Sequence, residues 1–150
     1  MPTQTLTHAD SVVQTIDRRR KLDRDVRELL VERSRWLAPS DRALFQAVFR
    51  DGLTAAQAAR IARVSPRAVR SQLHTLARHL MDPKVVWAAR RLRKWGPVRA
   101  QVARAVILQK RTHREAGRLL RMSSYRLRGQ LALIEELWRQ HQDAAVRRAG

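Results

Sequence analysis

Arginine is the residue of this chain with the clearest chemistry. Its planar guanidinium donates two parallel hydrogen bonds, to O6 and N7 of guanine or to phosphate oxygens. Arg60, Arg63, Arg67 and Arg70 fall within 11 positions, and Arg118, Arg121, Arg126 and Arg128 fall within another 11. The 150 residues carry 32 Lys and Arg against 13 Asp and Glu, a formal net charge of +19. Residues 1–38 hold 8 basic and 6 acidic groups, residues 39–81 hold 7 and 2, and residues 82–150 hold 17 and 5. The charge thus follows the arginine clusters. Its natural partner is a polyanion, because neutralising phosphates releases counterions. General solubility is the plainer reading, but it does not call for so one-sided a charge.

Other reactive groups form no constellation. The histidines at 8, 74, 79, 113 and 141 lack metal-ligand spacing, and the chain has no cysteine. His74 and His79 fall on different faces of a helix. Glu135 and Glu136 are adjacent and diverge, so they make no acid–base pair. There is no glycine-rich phosphate loop. The expectation is a non-enzyme with no metal and no cofactor. Trp36, Trp87, Trp95 and Trp138 lie near helix ends in apolar stripes, which suits core anchors better than base-stacking platforms. No apolar run approaches a membrane span, and no secretory signal is visible at the N-terminus. The expected location is the cytoplasm, on the bacterial nucleoid.

The elements that must position the arginines are legible as a repeat. Leu53 to Leu80 reads as two helices joined by a tight turn. Thr54 caps the first, with Gln57 at the capping-box spacing. Ala58, Ala59, Ile61 and Ala62 give it a small apolar inner face. Ser65 caps the second helix, and Pro66 is tolerated at its first position. Val69, Leu73, Leu76 and Leu80 then recur at helical spacing. The same pattern returns 58 residues later as Arg111 to Trp138, without gaps from Pro39 to Trp138. Thr112, Glu115, Ala116, Arg118, Arg121, Ser123, Leu127, Arg128 and Gln130-Leu131 stand at the matching places. Two copies of one helical unit are expected, since small inner residues followed by a capped second helix spell a helix-turn-helix.

The rest of the chain frames these units. Residues 1–9 read as a loose tail and 10–37 as an N-terminal helix. That helix would lid the first unit; pairing with a second subunit is the alternative. The first unit spans 38–81, with a helix over about 41–50 whose inner face is Leu44, Ala47 and Val48. The second spans 82–141. It opens with a helix after Asp82-Pro83, lined by Val85, Ala89 and Leu92. A further helix runs from Pro97 to about Arg111, with Val98, Val102, Ala105 and Val106 inward. The last helix should end near His141, its stripe of Leu127, Leu131, Ile134 and Trp138 widened by Leu133 and Leu137. Residues 142–150 read as a frayed tail. No strand is expected, so the fold class is all-α: two tandem tri-helical helix-turn-helix units behind a long N-terminal helix.

A second helix of this kind enters the major groove with its N-terminal residues at base edges. With Val69, Leu73 and Leu76 inward, Arg67, Arg70, Ser71 and His74 face out as base readers. In the second copy the readers are Tyr125, Arg126 and Arg128, beside Ser124, Gly129 and Ala132. Thr54, Arg60, Arg63 and Ser65, with Thr112, Arg118, Arg121 and Ser123, are placed for phosphate contact. Each arginine read singly is equally well a solvated surface charge.

The first copy resembles the C-terminal, region 4-like promoter-binding domain of bacterial sigma factors and the LuxR-type domain of quorum-sensing response regulators. Gly52-Leu53-Thr54, Ala58-Ala59, Val64-Ser65, Ala68 to Leu73 and Leu80 carry the resemblance, over about 40 residues. It implies a compact helical domain that reads duplex DNA. Arg63 and Arg121 depart from it, standing where such turns usually carry glycine. Nothing resembles the aromatic-rich sigma segment that melts promoters, so the chain is not read as a sigma factor. The expected function is a sequence-specific double-stranded-DNA-binding transcriptional regulator, as a monomer or a homodimer. One alternative is a helical adaptor or antagonist binding RNA polymerase or another regulator. Another is the DNA-recognition subunit of a recombination system. Gly129 and Glu135-Glu136 leave open a shift of the second copy toward protein contact. RNA is disfavoured, because its deep major groove admits no reading helix.

Overall fold

The computed structural model describes residues 23–150, and all regular structure among them is helical. The tail expected over 1–9 and the first part of the helix expected over 10–37 lie outside the described residues. We label the helix over 23–33 α1; it tightens into a 3-10 turn at Ser34–Trp36. Then follow α2 (Pro39–Phe49), α3 (Ala55–Ala62), α4 (Pro66–Met81), α5 (Pro83–Arg91), α6 (Pro97–Val102), α7 (His113–Leu120) and α8 (Ser124–Ala149). Among the described residues no helix is long and apolar enough to cross a membrane.

The helices gather around two adjoining cores. The first holds Leu30, Leu37, Phe45, Ala58, Ala59, Val69, Leu73, Leu76 and Leu80. The second holds Val85, Trp87, Ala88, Val102, Ala103, Ala105, Leu108, Ala116, Leu127 and Ile134. Trp36 packs against both. Trp87 sits at the centre of the tryptophan cluster, 5.4 Å from Trp95 edge-on and 5.2 Å from Trp138. The tryptophans are core anchors, as their stripes suggest. Ser34 is fully buried and satisfied: its hydroxyl donates to Val31 O at 2.5 Å and accepts from Gln46 Nε2 at 3.0 Å.

The 58-residue offset is written into the backbone. Gly52 and Lys110 have φ of 81° and 56°, and Arg63 and Arg121 have φ of 58° and 52°. Leu53 N–H donates to Ala47 O and Arg111 N–H to Ala105 O, each at 3.0 Å. Asp51 N–H donates to Gln46 O and Gln109 N–H to Arg104 O, each at 2.9 Å. The turns that enter and leave α3 therefore share their left-handed residues and closing bonds with those that enter and leave α7. One difference is that the helix expected from Pro97 to about Arg111 turns into a wider π-helix over Ala103–Leu108.

Several expectations are corrected. Ile61 and Ala62 do not belong to the inner face of α3: both are exposed, Ile61 at 75%. At 100° per residue Ile61 lies about 110° from the midline between Ala58 and Ala59, off the buried stripe. Ala62 falls near that midline but in the last turn, where it is left uncovered. In α2 the buried centre is Phe45, which stacks on Phe49 at 4.4 Å, while Leu44, Ala47 and Val48 are only partly covered. In α5 the buried side is Val85, Trp87 and Ala88, with Ala89 and Leu92 partly covered. Leu133 does not widen the α8 stripe; it is 49% exposed, whereas Leu137 packs on the core. The tail expected over 142–150 is helical to Ala149. Glu136 pairs with Arg139 and accepts from Gln140, and Arg147 and Arg148 in the last turn suit the negative end of the helix dipole.

His79 ties α4 to the end of the π-helix. Its Nε2 lies 2.7 Å from Leu108 O, and because a carbonyl only accepts, Nε2 carries the hydrogen. Burial pushes the imidazole below its ordinary pKa; the Leu108 hydrogen bond opposes this, Lys110 adds to it, and Asp82 and Asp41 oppose it. The unfolded chain then binds a proton at a higher pH than the fold does, so stability falls as pH drops below about 6.5. Urea midpoints measured from pH 7 to pH 5 should decline, and His79→Gln should flatten that decline. Phe45→Ala should cost about 3–5 kcal/mol by the same unfolding measurement.

Candidate nucleic-acid interface

Each arginine cluster is held by a pair of short-linked helices with matching ends. Thr54 Oγ1 accepts from the Gln57 N–H at 3.1 Å, and Gln57 Oε1 accepts from the Thr54 N–H at 2.9 Å. Thr112 and Glu115 make the same reciprocal pair at 3.1 and 3.3 Å. Ser65 Oγ accepts from Ala68 N–H at 3.1 Å, and Ser123 Oγ from Arg126 N–H at 3.2 Å. The four hydroxyls named as phosphate contacts are thus engaged as acceptors, and each keeps its O–H to donate. All four residues are exposed.

The turn between the helices is left-handed at Arg63 and Arg121. Val64 N–H returns to Ala59 O at 3.1 Å and Met122 N–H to Gly117 O at 2.9 Å. This is the conformation for which glycine is favoured. An arginine there carries a backbone cost of roughly 1–2 kcal/mol. The fold holds two such arginines at equivalent places, both exposed. On α4, burial of Val69, Leu73, Leu76 and Leu80 fixes the helix roll. Arg67, Arg70, Ser71 and His74 are exposed as a consequence, as are Arg60 and Arg63 at the end of α3. On α8, Leu127 and Ile134 are buried, and Tyr125, Arg126 and Arg128 are exposed, Tyr125 at 90%. Arg118 and Arg121 are exposed beside them.

Among the described residues these groups have no ion-pair partner. Residues 52–81 contain five arginines and no Asp or Glu. The neighbouring carboxylates are engaged elsewhere. Asp41 accepts from Gln72 Nε2 at 2.8 Å, Asp51 pairs with Arg50, and Asp82 caps α5 through Lys84 N–H. Glu115 closes its capping box, Glu135 pairs with Lys84, and Glu136 pairs with Arg139. Among the described residues, none of the eight arginines assigned to base or phosphate contact makes a salt bridge. The structure therefore brings each set together on one exposed helix pair. Sequence reading missed Lys110, exposed and left-handed just before α7. Carrying Gly52 across the 58-residue offset would have found it.

Comparison with family models, with curated proteins and with solved structures finds no match. Among the described residues no three His, Cys, Asp or Glu side chains gather closely enough to hold a metal ion.

Relieving the left-handed strain separates stability from charge. Arg63→Gly and Arg121→Gly should each raise the unfolding free energy by up to about 1 kcal/mol. Each should at the same time remove one cation from the surface, which heparin-affinity elution at lower salt would register.

Proposed function

We propose that the chain is a sequence-specific duplex-DNA-binding regulator that reads DNA through two helix-turn-helix units, α3–α4 and α7–α8. The observation that carries this reading is the pair of exposed arginine clusters on those two helix pairs, whose eight arginines make no salt bridge among the described residues. In this reading the N-terminal turns of α4 and α8 enter the major groove. Arg67 and Arg70, and Arg126 and Arg128, donate to guanine edges, with Ser71, His74 and Tyr125 as further readers. Arg60, Arg63, Arg118 and Arg121 meet phosphates beside the capping hydroxyls of Thr54, Ser65, Thr112 and Ser123. The likeness to sigma region 4 and LuxR-type domains belongs here too, and the left-handed turn is kept without its glycine. Such a regulator acts in the cytoplasm on the nucleoid, without a cofactor.

One observation favours a second reading, an adaptor that docks on RNA polymerase or another regulator through α8. Leu133 and Val146 stand 49% and 72% exposed on that helix. A stoichiometric protein partner retained from nuclease-treated lysate, with no affinity for duplex DNA, would favour it.

Selection from random duplex DNA at stated salt, followed by fluorescence titration, tests the main reading. The logarithm of affinity should fall linearly with the logarithm of salt, at about 0.9 per phosphate contacted. Arg67→Ala with Arg70→Ala should erase preference for the selected sequence, each lost guanine contact being worth about 1–3 kcal/mol. Arg60→Ala should weaken all sequences alike and lower the slope by about 1. A steep slope with no sequence preference would reduce the protein to a nonspecific binder.

A further inference from the structure

The two units are joined without slack. Asp82 alone separates α4 from α5, and it serves both: its N–H donates to His79 O at 3.1 Å, and its carboxylate accepts from Lys84 N–H at 2.8 Å. Leu80, 0% exposed in the first core, and Val85, 3% exposed in the second, lie five positions apart. Even fully extended, five residues reach only about 17 Å. Two further contacts hold the joint. His79 Nε2 donates to Leu108 O across the units at 2.7 Å. Trp36 packs against both cores. Tandem modules on flexible linkers tolerate many spacings, and this architecture has no such linker.

The two reading helices also differ. At the 58-residue offset, Arg67, Arg70, Ser71 and His74 on α4 correspond to Tyr125, Arg128, Gly129 and Ala132 on α8. The first set offers two guanidinium forks and two further hydrogen-bonding groups. The second offers Arg128, a phenol and the apolar surface of Ala132, with a further fork from Arg126 where α4 has Ala68. Guanidinium forks suit guanine, and apolar surface suits the thymine methyl.

Resting on the duplex-binding reading above, we infer that one chain recognises a bipartite, non-palindromic DNA site: a guanine-rich half met by α4 and a thymine-containing half met by α8, at one fixed separation. Because the joint is stiff, the separation is part of the specificity. Changing it moves the second half-site both along and around the duplex, and the second helix then cannot follow. Stoichiometry is one chain per site.

The test uses the full chain and the duplex selected from random sequence, with the spacer between its halves lengthened or shortened. A change of about five base pairs, half a helical turn, should weaken binding about tenfold or more. Tyr125→Ala and Arg128→Ala should erase selectivity in the second half and leave the first intact. Inserting a flexible Gly-Ser segment between Asp82 and Pro83 should flatten the spacer dependence; circular dichroism checks that this variant remains helical. The spacer series itself needs no variant. Selection of a single half-site, a flat spacer profile in the unmodified protein, or two chains on a palindrome would each overturn the inference while leaving duplex binding in place. No duplex binding at all would overturn both.

Discussion

Burial of an apolar stripe along α4 and α8 is the constraint on which the rest of the molecule depends. Val69, Leu73, Leu76 and Leu80, and Leu127 and Ile134, fix how each helix is rolled. Each such side chain contributes about 1.5–3 kcal/mol when fully buried. Four of them on one helix outweigh by several-fold the roughly 1–2 kcal/mol held in a left-handed arginine. The roll in turn leaves no inward position for Arg67, Arg70, Arg126 or Arg128. These arginines are exposed because the opposite face has no other place to go.

The carboxylates complete the arrangement by being used elsewhere. Asp82 and Glu115 satisfy helix N-termini, while Asp51, Glu135 and Glu136 neutralise Arg50, Lys84 and Arg139. Those pairs are solvent-facing and add little stability. Their effect is on the field: they occupy acids that would otherwise quench the arginine surface. A net charge of +19 carries self-repulsion within the fold. A polyanion relieves it, so the same imbalance that burdens the free protein favours a phosphate-lined partner.

The arginine clusters lie on two helix pairs, α3–α4 and α7–α8, and Asp82 alone separates α4 from α5. A repeat joined by a long linker would keep its copies independent. Here α5 starts one residue after α4 ends and is buried in the second core through Val85, Trp87 and Ala88. The two copies differ at inward and outward positions alike. The capping boxes, the left-handed turns and the i−5 closing bonds recur in both copies, while Arg67 faces Tyr125 and His74 faces Ala132 across the offset.

What the sequence determined by itself is what depends on near neighbours along the chain. Both capping boxes, the Ser65 and Ser123 caps, the α4 stripe and the 58-residue repeat were legible because each is set by residues three or four apart, or by direct self-comparison. The exposed arginines followed from the stripe. Only the tertiary structure decided matters that depend on which neighbour covers a helix. Phe45, not Leu44 or Val48, became the centre of the first core, because α3 and α4 cover the side of α2 on which it lies. Ile61 and Leu133 were left in solvent because no element covers the sides of α3 and α8 on which they lie. Arg63 and Lys110 took left-handed backbones that their side chains disfavour, because the turns on either side are closed by helix packing. The contacts of His79 and Trp36 between the two cores likewise had no local signal, since they join residues far apart in the chain.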